Sequence, residues 1–333
     1  MNQRAIDLAL RLRSDPHPPP HNPVCRTAQD VCDYLVGFHD TPLACDTESL
    51  PDGSCYCVTF SHTPGTGRLI YIADNGQTIS PLSIFRQWLA NCGRVIFHNY
   101  LHDCVPFAAH DLLITRFADT MVRAYHLCLG GGGDEEDSES KAGRGSLSLK
   151  VLAYRHLNMR MTSFKDTVYP HSIPQLALWL TDAATAIAPP PKIKKCLCGC
   201  PQSSHEPRGK TQRHTGMCST CICTKYQAAP TLIPSITDKY YAGLYTKTTR
   251  LANRLLNETD TNWADSKKDP WKFIRTNWGE DLDTLELLAG PIPVPSVAFV
   301  PEPELLGYAC RDADATLRLH LHMHHLKPWL FWP

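Results

Sequence analysis

No stretch of this 333-residue chain stays apolar for the roughly 18 residues that a membrane span needs. The opening segment, MNQRAIDLALRLRSDPHPPP, lacks the apolar core and small-residue cleavage site of a secretory leader. Neither sign of charge is in excess: 33 Lys and Arg face 33 Asp and Glu. That excludes a globally basic nucleic-acid coat but not a local basic groove. No internal repeat is visible. Hydrophobic residues make up 43% and charged residues 20%, ordinary values for a water-soluble globular chain. These absences lead to the expectation of a cytoplasmic protein with no membrane partner, built as two domains or as one domain with insertions.

Cysteine, by contrast, is plentiful and odd in number, at 15. Nine are scattered through stretches such as LACD and VCDYL, where a thiol behaves as a small buried hydrophobe. Six crowd between positions 196 and 223 and need a separate reason.

Pattern and punctuation suggest the following order of elements. Thr27 to Phe38 reads as a helix and TPLACDTES as a strand. SCYCVTFSH and GRLIYIAD are two further strands joined by the turn TPGTG. SPLSIFRQWLANC is a helix with Ser80 as its N-cap, and RVIFHN is a buried strand. Helices are expected over 103–111, 118–128, SLSLKVLAYRHL, 174–187, 236–257, 281–289 and GYACRDADATLRLHLHMHHL, with PIPVPSVAFVPEPE extended. Residues 130–145 are Gly-rich and acidic and read as a surface loop. The early strands follow tight turns and should pair antiparallel. RVIFHN arrives through a helical crossover and should run parallel to the first strand, giving a mixed α/β sheet flanked by helices.

Three pieces of this order carry acids. LACDTES places Asp46 and Glu48 two apart, hence on one face of a strand. Asn99 and Asp103 follow the buried strand RVIFHN. Tyr308 and Asp312 sit four apart on one face of the late helix. Bland readings exist for each: an exposed edge strand, a pair of helix caps, ordinary helix residues. Asp314 competes with Asp312 but lacks the spacing from Tyr308, and Asp119 reads as structural. Taken together, four convergent carboxylates would repel strongly unless a cation sat among them. Mg²⁺ or Mn²⁺ prefers such oxygen donors, and two of these ions form a clamp for phosphodiester cleavage.

Asp-x-Glu on a strand, Asn-x-x-x-Asp at a strand end and Tyr-x-x-x-Asp on a helix, in that order, resemble the DEDDy-type 3′–5′ exonucleases. The nearest look-alike is the proofreading domain of family A DNA polymerases. FADTM and SLSLKVLAYRHL match further family positions, and the likeness spans residues 40–185 and 236–327. It implies a ribonuclease-H-like fold. It also implies that Asp46, Glu48 and Asp312 hold the water-activating metal. Asp46 would be shared with a second metal served by Asp103, and Tyr308 would orient the water. Thr47, Leu50 and Asn99 would contact the strand. The implied chemistry uses two Mg²⁺ or Mn²⁺ ions to release nucleoside 5′-monophosphates from a single-stranded or frayed DNA 3′ end. No fingers, palm or thumb follow the third motif. The expectation is therefore a standalone exonuclease or a subunit working with a separate DNA polymerase, phage-encoded by analogy and acting in the host cytoplasm. RNA 3′-end trimming and a non-enzymatic nucleic-acid-binding or adaptor role are the competing readings.

The crowded segment offers Cys196, Cys198, Cys200, His205, Cys218, Cys221 and Cys223. Their turn-like spacing suits a closed, structural Zn²⁺ site that would supply this short segment's folding energy. Seven candidates exceed one tetrahedral ion, so either some are bystanders or two ions share a thiolate. KIKK and RGKTQR around them would suit a nucleic-acid backbone or simply a solvated surface. The histidines of HLHMHH are spread around their helix and do not read as a site. The expected organisation is a helix and linker over 1–24, the first part of the exonuclease domain over 25–188, a zinc-binding insertion over 189–232 and the second part over 233–333.

Overall fold

A computed structural model describes residues 23–36, 42–72, 80–91, 94–114, 116–129, 146–187, 236–257 and 269–326. The chain divides into two compact units, Met1–Ser172 with Val294–Pro333, and Ile173–Pro293. The proposed zinc ligands, and the insertion over 189–232 that holds them, lie outside the described residues.

The first unit is built on five strands: β1 (Leu43–Ser49), β2 (Cys55–Ser61), β3 (Arg68–Tyr71), β4 (Val95–Phe97) and β5 (Phe117–Asp119). Their order across the sheet is β3-β2-β1-β4-β5. β1, β2 and β3 pair antiparallel, and β4 lies parallel to both β1 and β5. This is the mixed sheet expected from the sequence, and its topology is that of a ribonuclease-H-like α/β fold. Among the described residues ten α-helices accompany it. In this unit they are α1 (Ala28–Leu35), α2 (Pro81–Asn91), α3 (Tyr100–Ala109), α4 (Thr120–His126) and α5 (Leu149–Leu157). α6 (Phe164–Ile187) starts here and α10 (Glu302–Leu326) closes the unit.

Strand alternation sorts the side chains of β1 into two layers. Leu43 and Cys45 join a core with Val58, Phe60, Phe85 and Phe97 on the side covered by α1 and α2. Ala44 faces the other way and packs with Ile96, Ala118 and Leu317 of α10. Asp46 and Glu48 continue that second row, so the strand carries them under α10. The helix comes close to the sheet because position 67 is glycine: a Cβ there would stand 2.6 Å from Cys310 Cβ. Arg318 and Asp314 form a buried ion pair at 2.9 Å, and Asp314 also accepts from Gly65 N–H at 2.7 Å. Asp314 therefore fastens α10 to the β2–β3 turn and is absent from the acidic group that includes Asp312.

Several elements differ from the sequence expectation. The helix expected over 118–128 is a three-residue strand followed by α4, because Asp119 ends β5 and caps the helix, accepting from Met121 and Val122 N–H. Three residues are too few for alternation to register. α6 begins ten residues before the expected 174, with the Ser163 hydroxyl accepting from Asp166 N–H at 3.1 Å. Pro170 and Pro174 lie inside it and mimic a boundary in the sequence. α10 starts at Glu302, inside the proline-rich stretch expected to be extended.

The second unit holds the rest of α6, α7 (Ile236–Asn257), α8 (Pro270–Asn277) and α9 (Glu280–Ala289). Helix α8 is absent from the sequence expectation; Asp269 caps it through Lys272 N–H, with Pro270 in its first turn. The Trp179 and Trp271 indoles donate to Gly290 and Pro293 carbonyls at 3.0 and 2.6 Å, fixing the segment after α9.

Candidate metal centre

The site begins at the C-terminal half of β1. A register shift between Glu48 and Ser49 interrupts the pairing with β2 just where the acids project. Thr59 of β2 donates to Ala309 O at 3.2 Å, joining the sheet to α10 beside Asp46. One helical turn along α10 from Tyr308, Asp312 meets the strand. Carboxylate oxygens of Asp46, Glu48 and Asp312 all lie within 4.8 Å of one another. Among the described residues this is the one group of acids, histidines or cysteines arranged to hold a metal ion. Glu48 is buried, and Asp46 and Asp312 are partly buried.

The fourth acid is held differently. Asp103, on the first turn of α3, is buried at 1% exposure. Its Oδ1 accepts from Thr47 N–H at 3.0 Å and from the Thr47 hydroxyl at 2.6 Å. Thr47 therefore serves Asp103 in this state, while Asp103 lends its charge to Asp46. His102 Nδ1 stands 4.0 Å from the same carboxylate on the exposed side.

Asn99, just before α3, adopts the left-handed conformation with φ 67° and makes no side-chain cap bond. What holds this turn is Asp119, which accepts from Asn99 and Tyr100 N–H at 3.1 and 2.8 Å as well as capping α4. FADTM thus contributes a brace between two helix starts. Leu50 is half-buried just past β1, in a turn closed by Gly53 N–H to Leu50 O at 2.9 Å.

Burial and mutual repulsion dominate the electrostatics. Burial pushes Asp46 well above the usual carboxylate range, and the charges of Asp103, Asp312 and Glu48 push further. Burial, then Asp312, does the same to Glu48. Burial carries Asp312 to about 7, against the opposing charges of Lys150 and Arg311. Tyr308 is buried, and burial beside Glu48 raises its phenol, which stays protonated.

Lys150 is the functional residue that the sequence reading missed. Its charge opposes the upward shift at all three clustered acids. Its Nζ lies 4.8 Å from the centroid of the Tyr308 ring and donates to the Thr162 carbonyl. The available signal was a lone cation in the first turn of a Leu-rich helix, the second residue of α5.

Carboxylate oxygens crowded at this spacing are a donor set suited to a hard divalent cation. Two of the four histidines of α10 are engaged elsewhere: His320 Nδ1 lies 2.6 Å from Arg123, and His322 packs against His156.

No family model matches this sequence, and no curated protein matches it. Similar solved structures include the apo form of a nuclease, 15% identical, with 78% of this chain and 95% of that one covered at a TM-score of 0.30. Another is a protein from Bifidobacterium adolescentis, 12% identical, with 89% and 97% covered at 0.27. At these scores the likenesses bear on neither fold nor activity, and both rest on the chain's own geometry. No helix among the described residues is long and apolar enough to cross a membrane.

Proposed function

We propose that the protein is a metal-dependent nuclease, and specifically a 3′–5′ exonuclease acting on single-stranded or frayed DNA ends. The observation that carries this reading is the approach of Asp46, Glu48 and Asp312 to within 4.8 Å beneath α10, with Tyr308 one turn away. A protein that only docks gains nothing from burying like charges together at this cost.

In this reading Asp46, Glu48 and Asp312 hold the cations, and Asp103 adds its charge from α3 while Thr47 fixes its rotamer. Two divalent ions bound there would lower the pKa of a water nucleophile and take up charge on the leaving oxygen. Tyr308, protonated and pinned under Lys150, presents a hydroxyl that orients the water. Lys150 places a positive charge where the phosphodiester gains negative charge on attack. Lys150→Met should lower kcat by roughly 10- to 100-fold. It should also lower the melting temperature more in chelator than in Mg²⁺, because it removes the charge that opposes the acids. Equal thermal losses in both conditions would reduce Lys150 to a packing role.

Polarity is tested with a 5′-labelled oligonucleotide whose 3′ end is either free or blocked. The expected result is Mg²⁺- or Mn²⁺-dependent laddering from the free end and none from the blocked one. Internal cuts in the blocked strand would make the enzyme an endonuclease. Faster decay of the matched RNA would shift the substrate to RNA.

A further inference from the structure

Cations converge beside the N-terminal end of β1, the end away from the acids. Leu43 N–H donates to the Arg94 carbonyl at 3.3 Å, so sheet pairing runs one residue ahead of β4. Alternation then puts Arg94 on the same side as Ile96, the side that α10 covers. Leu317 of α10 packs there with Ile96 and Ala118. His320 and His324 follow on the same helix, within about 60° of Leu317 around its axis. His320 is thus about 12 Å along α10 from Asp312. Arg123, in the last turn of α4, meets it from the side, and Nη1 donates to His320 Nδ1 at 2.6 Å.

These groups feel one another. Burial, then the charge of Arg94, brings Arg123 down to about 10. Burial, then Arg123, His324 and Arg94, holds His320 at about 3, so its ring is neutral. Countercharge is scarce. Asp119 is the acid that acts on Arg123, and its carboxylate already accepts from Asn99, Tyr100, Met121 and Val122 N–H. Among the described residues no ion pair engages Arg94. The dipole of α10 favours His324, in the last turn, but fades within that turn and leaves His320 and Arg94 unexplained. An arginine can only donate, so His320 Nδ1 accepts and the ring proton stays on Nε2. That leaves a second donor beside the two guanidinium groups.

We propose that Arg94, Arg123 and His320 form a binding site for a phosphate group. Two guanidinium forks and an imidazole N–H, brought in from a strand start and two helices, can meet a tetrahedral anion from several directions. A planar carboxylate needs a single fork. The bound phosphate supplies the countercharge that the surrounding side chains do not. Its source is either a diester of a nucleic-acid strand or a free phosphate, since both offer the same oxygens. The site is separate from the metal centre and does not depend on the nuclease reading.

The test uses the full chain in chelator at constant ionic strength, with sodium phosphate exchanged for sodium chloride, and follows the melting temperature. The wild type should melt several degrees higher in phosphate. Arg94→Met should lose that gain, with phosphate binding weakened at least about tenfold. In chloride the same variant should melt no lower than the wild type, because a repelling charge has gone. Arg94→Lys, which keeps the charge, should keep part of the gain. A merely structural Arg94 would lower the melting temperature in both salts and leave the phosphate gain intact, which overturns the proposal. A wild type that melts alike in phosphate and chloride also overturns it. Anisotropy of a labelled single-stranded DNA oligonucleotide, again in chelator, then separates the sources. A roughly tenfold loss of its affinity in Arg94→Met assigns the site to a strand phosphate, and an unchanged affinity assigns it to a free one. Asp46→Asn should bind inorganic phosphate as the wild type does, so this site and the nuclease reading fail separately.

Discussion

Asp46→Asn should abolish metal-dependent cleavage and, in the same protein, raise the melting temperature measured in chelator. Asp46 is the acid most beset by its neighbours: Asp103, Asp312 and Glu48 all add to the effect of its burial. The amide keeps the shape of the side chain but removes its charge. It leaves the backbone in place, including the carbonyl that lies 3.4 Å from the Thr59 hydroxyl. Losing one carboxylate from a shared donor set removes the charge that a bound cation needs. A fall in kcat of about a thousandfold or more is expected on that account. Without metal the same carboxylate is a liability, because the fold must hold like charges in a partly buried space. Relief of roughly 1 kcal/mol would appear as a rise of about 2–4 °C for a domain of this size. The pairing of lost activity with gained stability is what separates a metal site from a structural acid cluster. An asparagine variant that still cleaves, or that melts lower in chelator, would count against the assignment.

How much of this was legible in the sequence depended on the range of each signal. β1 could be read from its alternation, and its parallel partner β4 from the helical crossover between them, because both signals are local. Asp46, Glu48 and Asp312 were legible as a set once three short motifs were taken together, although more than 260 residues separate Glu48 from Asp312. Lys150 was not, since its role comes from α5 meeting α10 and nothing in SLSLKVLAYRHL announces that meeting. The same holds for the bond that Thr47 donates to Asp103, which joins β1 to α3 and leaves no mark in the sequence. Prolines misled in one place, at α6, where Pro170 and Pro174 are accommodated within a helix of 24 residues. Brevity misled in another, at β5, where pairing with β4 overrides a local helical pattern.

Removing divalent metal should make stability fall as pH rises from about 6.5 to 8.5, and adding Mg²⁺ or Mn²⁺ should cancel that fall. The sign follows from proton counting. Asp312 ionises near 3.8 in the unfolded chain and about 7 in the fold, and Asp46 and Glu48 are also raised. Between those values the folded state binds more protons than the unfolded state, so the unfolding free energy declines with pH. The contribution is fully present at low pH and is lost as pH climbs through the folded-state values. A shift of this size corresponds to about 4 kcal/mol before screening by solvent reduces it. Below pH 6.5 the opposite slope intrudes, because buried His320, held down to about 3 chiefly by its burial and then by the charge of Arg123, resists protonation. At the alkaline end the buried thiols of Cys25 and Cys55, pushed up to about 12, add a decline of their own. Neither effect depends on metal, so the Mg²⁺-minus-chelator difference in melting temperature isolates the acid cluster. That difference should be small at pH 6.5 and grow by several degrees at pH 8.5, because the cation binds the deprotonated carboxylates. The same stabilisation at both pH values would mean that the metal binds away from Asp46, Glu48 and Asp312.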